Sequence, residues 1–563
     1  MKPYRYIIFC GIVILGIPFS LICQDFSQFK KDNPVTLNGS LSGGINYLGT
    51  ENPNIDPVGY NASLNLHFSF FSIIQIPISI SYGNYGSSIN TLSFKRFGIS
   101  PSYKFIKVHG GYRSYSLSPY LMSGMTVLGG GIELTPKKFY FQAFAGKIAD
   151  RYNLGGDFLQ FRDETIDFYN RNVYGLKVGI GKTTHRYSIM VFHSKDNPNT
   201  GTIDSLAKYH ITPKQNFITG AEIYHQFFKN INIQINGAAS ILTNNTKADP
   251  LDVSENEKKW LQRASFLTTI NQSTRYSFAY DGKISFRVKT LNIGLKYQHI
   301  DPYYTSLGVA FMQPNLNNYL LDVQGSLFKN KCTIFSNFGI QELNVNEFTG
   351  QRQKRIVLNT NVNWTFNKTL ALQASYNNLA QNTETKIQEV ADSLRLTTHA
   401  QGWNVGWTYK LGKEKDRPHI LTLIISHNTF DLIQNDLSLN TNSTFNGSLG
   451  YRYNLKNNWN ASATLIYNDF TLGDGKSASR YGLILGYGKS INEDLNVRAH
   501  SSYKINFTDA IQDGYIINAG FNIQWKIFKK HQLNLSSSAL WRQTHLQKPK
   551  NEWRWRLNYS YSF

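Results

Sequence analysis

The chain has 563 residues, carries 58 Lys and Arg against 36 Asp and Glu for a formal net charge of +22, and is 14% aromatic, with 34 Tyr and 36 Phe. Mean hydropathy is −0.34, and beyond the first two dozen residues no apolar run is long enough to cross a bilayer as a helix. A helical membrane protein is thereby excluded. A chain of this kind that still enters a membrane must close a sheet, because every backbone N–H and C=O in hydrocarbon needs an internal partner.

At the N-terminus, Lys2 and Arg5 precede the apolar run IIFCGIVILGIPFSLI, and a polar sequence starts at Gln24. This order of charged, apolar and polar segments predicts a secretory signal peptide over residues 1–23, cleaved near Cys23. A transmembrane helix is the competing reading, but Pro18 interrupts a run already short for one. Ile22 is bulky for a position just before a lipidated cysteine, which argues against a lipid anchor on Cys23. Outside this leader only Cys332 remains, so no intramolecular disulfide is expected. No Cys cluster or closely spaced His pair suggests zinc, and no cofactor is expected.

A short lead over 24–34 is expected before a barrel domain spanning 35–563. Large transporters energised from an inner-membrane partner carry a globular plug ahead of their barrel, and a lead of this length leaves no room for one.

From Val35 the residues alternate with a period of two, the mark of a strand with one wet and one oily face. In YNASLNLHFSF, Ala62, Leu64, Leu66, Phe68 and Phe70 face one way, while Asn61, Ser63, Asn65, His67 and Ser69 face the other. RYSFAYDGKISFRV and YIINAGFNIQWKIF repeat the pattern. Runs apolar on both faces, which a soluble sandwich would need, are few; IIQIPISI and IISH are the nearest. GGG at 129–131 lies inside an alternating strand and reads as room for close packing rather than a phosphate loop. SFKRFG shifts the phase near Lys95 and Arg96, which reads as a bulge.

Eleven tight turns rich in Lys and Asn separate alternating runs, among them Lys104–Lys107, Lys329–Lys331, Asn367–Lys368, Lys456–Asn458 and Lys529–His531. Longer connections fall between them. Short turns on one side and long loops on the other are the arrangement of a transmembrane barrel, short turns periplasmic and long loops exterior. Counting both kinds gives an all-β, antiparallel, up-and-down transmembrane barrel of about 26 strands, within roughly four.

Four exterior connections are long enough for structure of their own, at 150–171, 196–214, 244–273 and 382–394. In the third, Ser254 and Glu257 have capping-box spacing ahead of Trp260 and Leu261, which predicts a short amphipathic helix. It is either a solvated surface turn or a segment folded into the lumen. A barrel of about 26 strands has a wide bore, so something is expected to fill it, these loops or another protein.

Basic residues lean inward: Lys177, Lys283, Arg287, Lys296, Arg452, Lys526, Arg554 and Arg556, against Glu133 and Asp281. They either pair with loop carboxylates such as Asp163, Glu164, Asp252 and Glu255, or form a basic lumen that selects anionic solutes. Much of the remaining positive charge is turn lysine near the membrane surface, suited to lipid phosphate, and nucleic-acid binding is not supported. No catalytic constellation emerges: His193 near Asp196, and His210 near Asp204, lie where polar residues are expected anyway.

The chain ends in WRWRLNYSYSF. Trp553, Trp555, Leu557, Tyr559, Tyr561 and Phe563 point one way, and Arg554, Arg556, Asn558, Ser560 and Ser562 the other. Aromatics at both ends of a strand suit the two interfaces of a bilayer. With its terminal phenylalanine, the stretch resembles the C-terminal signature of bacterial outer-membrane β-barrel proteins. The resemblance covers the last strand closely and the rest only in pattern. It implies an outer-membrane location, lipid contact, and recognition of Trp555, Leu557, Tyr559, Tyr561 and Phe563 by the barrel-insertion machinery. Two functions are expected: a transport pore partly closed by its loops, or a non-enzymatic scaffold or translocon subunit that holds a partner polypeptide or surface protein.

Overall fold

The computed structural model describes residues 35–563 except 50–56, 85–93, 149–168, 183, 201–210, 252–263, 344–350, 386–395, 413–418, 435–436, 456–457, 529 and 546–548. The leader and lead, residues 1–34, lie outside the described residues.

Alternating sequence becomes one antiparallel sheet that closes on itself. It runs from β1 (Val35–Gly49) to β27 (Lys550–Ser562), and each strand pairs with its chain neighbours. Segments β4 (Phe94–Ile99) and β5 (Ser102–Tyr103) both bond to β3 (Ile74–Asn84) and β6 (Ile106–Ser114). They are one span broken at Pro101, which has no N–H to give the ladder. The 27 segments are therefore 26 staves, the number that the turn spacing predicts. The irregularity sits at Ser100–Pro101, a few residues on from the phase shift read at Lys95 and Arg96, and Gly111, opposite Gly98, has a φ of +90°.

Closure is made by β1 and β27, with Leu41 opposite Tyr561 and Gly49 opposite Trp553. Beyond the last strand, Gly39 and Phe563 exchange both backbone hydrogen bonds at 3.0 Å. A Cβ at Gly39 would stand 2.7 Å from the Phe563 ring, so the absent side chain is what seats the terminal aromatic. Among the described residues no strand lacks a neighbour on either side, which is what a bilayer interior demands.

Twelve short connections lie on the side of the chain ends. Eleven are the Lys- and Asn-rich turns. The twelfth, Phe71–Ile73 between β2 (Val58–Phe70) and β3, contains no lysine and so escapes that signal. Phe71, Phe228, Phe328 and Phe528 all open their turns in the left-handed region, with φ of 50–54°.

The outer face is apolar and exposed, as at Ile189 (68%) and Trp555 (43%). Burial is concentrated elsewhere. Apart from glycines, Ser502 and Ala539, every buried side chain among the described residues falls between His109 and Leu343. The interior is therefore dry against one half of the wall only.

Candidate functional site: the loop-lined lumen

The dry half begins with strands that break the polar-inside rule. Inward positions of β7 (Thr126–Leu134), β8 (Phe139–Ile148), β9 (Asn170–Gly181), β10 (His185–Asn197) and β11 (Gln215–Phe227) carry Val127, Phe144, Val173, Met190, Phe192 and Ile218, all 5% exposed or less. Left open to a water-filled bore, these side chains would lose roughly 1.5–3 kcal/mol each of burial. Two connections cover them. Residues 115–125, between β6 and β7, and 301–315, between β14 (Leu291–Ile300) and β15 (Leu316–Leu327), fold inward instead of outward.

Their composition explains it. YSLSPYLMSGM and DPYYTSLGVAFMQPN are rich in Tyr, Leu, Met and Phe, and such segments gain by docking on an apolar wall. The first loop is shaped by Ser118, whose hydroxyl accepts from the N–H of Tyr120 at 3.2 Å and of Leu121 at 3.3 Å. Tyr115 stacks on Phe144 with ring centroids 4.3 Å apart. Gly131 of the GGG stretch makes room for it: a Cβ there would lie 2.6 Å from the Tyr115 hydroxyl.

The second loop locks the first. Ser123 and Val309 form a parallel bridge. Tyr304 donates its hydroxyl to the Tyr120 carbonyl at 3.0 Å, and Ser306 donates to the Leu121 carbonyl at 2.6 Å. The Leu307 N–H donates to the Asn216 side chain of the wall at 3.1 Å.

The polar anchor is Tyr120. Its hydroxyl donates to Asp281 Oδ1 of β13 (Thr274–Val288) at 2.7 Å and accepts from Gln298 Nε2 of β14 at 3.1 Å. Asn236 of β12 (Ile231–Thr243) donates to both Asp281 oxygens at 3.3 and 3.2 Å, and Lys296 stands 3.8 Å away. Burial, with the carboxylate beside it, pushes the Tyr120 hydroxyl far above the usual tyrosine range. It is therefore a neutral donor, as the geometry requires.

The sequence-predicted basic residues divide by partner. Lys177 Nζ lies 2.8 Å from Glu222 and donates to the Leu117 carbonyl at 3.0 Å, so it also holds the first loop. Lys283 pairs with Asp322 at 2.8 Å, and Arg287 donates to Asn292 at 3.2 Å. Arg554 meets Glu552 at 3.2 Å, and Arg556 donates to Asn46 at 2.8 Å. Arg452 and Lys526 form no ion pair among the described residues. The carboxylates that pair with these cations stand on the wall: Glu222, Asp281, Asp322 and Glu552. The expected loop carboxylates Asp163, Glu164, Asp252 and Glu255 lie outside the described residues, as do Ser254, Glu257, Trp260 and Leu261. The described flank of that connection bonds at the rim: Thr269 donates to Gln215 and accepts from Thr243.

His193 and Asp196 occupy opposite faces of β10 and have separate partners, Gln215 at 3.0 Å and Arg171 at 2.8 Å. They are not a catalytic pair. His210 and Asp204 lie outside the described residues.

Sequence reasoning passed over both inward loops, being drawn to more polar connections. A signal was present in SIMVF at 188–192, a run apolar on both faces in the middle of β10.

The opposite wall is polar, with uncharged amides between cations such as Arg452 and Lys526. Asn468 donates to Asn446 at 2.7 Å, Asn446 donates to Ser426 at 3.2 Å, and Asn522 donates to Asn534 at 2.8 Å. These amides form ladders across β20 (His419–Gln434) to β22 (Trp459–Thr471) and across β25 (Ile511–Ile527) and β26 (His531–Thr544).

A closed antiparallel barrel with an apolar, aromatic exterior and a polar bore defines an integral outer-membrane β-barrel. No protein-family model matches the chain, and no curated protein does. Among solved structures it is similar to a ferric enterobactin receptor from Pseudomonas aeruginosa in complex with enterobactin, at 8% identity, 94% of this chain, 81% of the receptor chain and a TM-score of 0.42. It is also similar to the copper transporter OprC, at 9% identity, 94% and 80% coverage and a TM-score of 0.37. OccAB2 of Acinetobacter baumannii matches at 11% identity, 67% and 97% coverage and a TM-score of 0.28. Likenesses this distant assign no cargo.

Proposed function

We propose that this chain is a non-enzymatic transport channel of the outer membrane, its bore narrowed on one side by the loops 115–125 and 301–315. The observation that carries this reading is the asymmetry of the interior. One wall is apolar and capped by interlocked loops, while the other presents amide ladders suited to water and polar solutes. The basic side chains with nearby carboxylates would shape the field in the bore, and those without would bias it toward anions.

Conductance of the purified protein in a planar bilayer tests it. A steady current is expected, larger in a variant lacking 117–123. Silence from both proteins would overturn the channel.

A scaffold for a partner polypeptide is the second reading. It is favoured by Phe311, on the inward loop 301–315, and Phe266, on the connection after β12, which stand 84% and 81% exposed, where an apolar partner could cover them. A stoichiometric protein copurifying from native membrane, lost when both are changed to Ser, would support it.

A further inference from the structure

On the inner wall formed by β1 to β6 there is a cleft of about 480 Å³, beside the loop-capped region. Its size is that of a small-molecule site. Gly98, opposite Gly111 in register, lines the hollow and places no side chain in it. Around the hollow stand Lys107, Arg113, His67, Asn65, Ser40 and Ser79.

Two of these residues differ from the three lysines of the loop-capped half. Lys177, Lys283 and Lys296 each have a carboxylate within 2.8–3.8 Å. Lys107 and Arg113 make no ion pair and no side-chain hydrogen bond among the described residues, and Arg113 Nε is buried without an acceptor. A candidate partner, Glu133, is opposite Lys107 in register but meets His109 Nε2 at 3.1 Å and Gln142 Nε2 at 3.5 Å instead. A buried guanidinium N–H without an acceptor costs about 1–3 kcal/mol or more, and a ligand oxyanion would recover it. The planar fork of arginine suits carboxylate or phosphate, and the surrounding hydroxyls and amides suit hydroxyl groups.

We propose that this cleft binds a small hydroxylated anion, a sugar phosphate or a sugar acid, held by Arg113 and Lys107 at its charged end and by Asn65, Ser40 and Ser79 along its hydroxyls. The proposal rests on the channel reading and names a class of solute for it.

Calorimetric titration of the purified wild-type barrel with glucose 6-phosphate, gluconate, glucose and inorganic phosphate tests binding without requiring conduction. Saturable binding of glucose 6-phosphate or gluconate, with glucose at least about tenfold weaker, is expected. The stronger of the two identifies the anion. R113Q and K107Q should each weaken binding about tenfold, R113K less, and K283Q, at a cation that already has Asp322, under about twofold. Glucose binding as well as the anions, inorganic phosphate alone binding, R113Q without effect, or no saturable binding would overturn the site. The wild-type comparison stands even where a variant fails to fold. A conducting barrel that binds none of these solutes refutes the site alone. A silent barrel that binds them refutes the channel.

Discussion

Tyr120, in a connection of eleven residues, places its hydroxyl 2.7 Å from Asp281, a carboxylate 161 positions further along the chain and on the inner wall. One short loop is thereby fastened to the barrel by a buried hydrogen bond to a charged acceptor. Such a bond is worth about 1.5–3 kcal/mol. Y120F removes the donor and leaves Asp281 with Asn236 and Lys296. The undocked loop population should rise about tenfold or more, read as larger and noisier single-channel currents. Currents identical to wild type would show that the loop does not depend on this bond.

The same latch predicts a pH response. Burial raises the hydroxyls of Tyr120 and Tyr304, and raises Tyr115 from 10.0 to about 12. An undocked loop ionises at its ordinary value, so it binds fewer protons than the docked loop above that pH. Docking should be fully held below pH 10 and should weaken as pH climbs from 10 through about 12. Conductance is expected to be flat up to about pH 10 and to increase above it. In Y120F the increase should be smaller. A decrease with pH would contradict the sign.

Gly308 is pressed between the wall and the first loop. A Cβ there would lie 2.5 Å from the Phe192 ring and 2.6 Å from the Leu121 carbonyl. G308A should therefore separate 301–315 from 115–125 at a cost of about 1–3 kcal/mol. Protease cleavage within 301–315 should accelerate, while the barrel, whose ladders are untouched, keeps its heat-modifiable mobility in gels. Loss of the barrel itself would show that the loops support the wall.

Topology is testable by thiol labelling, with a quiet background because Cys332 is buried. A cysteine replacing Lys368, in a short turn, should resist an impermeant reagent on intact cells. One replacing Lys476, in the connection between β22 and β23 (Ser477–Ser490), should react. The opposite result would invert the barrel.

Much of the wall was legible in the chain because its physics is local. Successive side chains point to opposite faces, so Leu64 with Asn65, or Trp555 with Arg556, reveal an oily and a wet side without knowledge of any partner. Lys- and Asn-rich turns give the strand count, and the turn at Phe71–Ile73 was missed only because it uses different residues. Carboxylate partners were less legible: Lys177 meets Glu222 across 45 residues and Lys283 meets Asp322, pairings that need the register of several strands.

The sequence by itself determined a barrel, its approximate size, its closing strand and which side chains share a face, since these follow from a two-residue period and from turn chemistry. Only the tertiary structure decided which connections enter the bore. Tyr120 finds Asp281 and Tyr304 finds Tyr120 only after distant strands have been brought around a closed circle. No local pattern encodes a contact whose two halves are joined by the curvature of the sheet. The unpaired Arg113 is of the same kind, because the lack of a partner is a property of the surroundings and not of the residue.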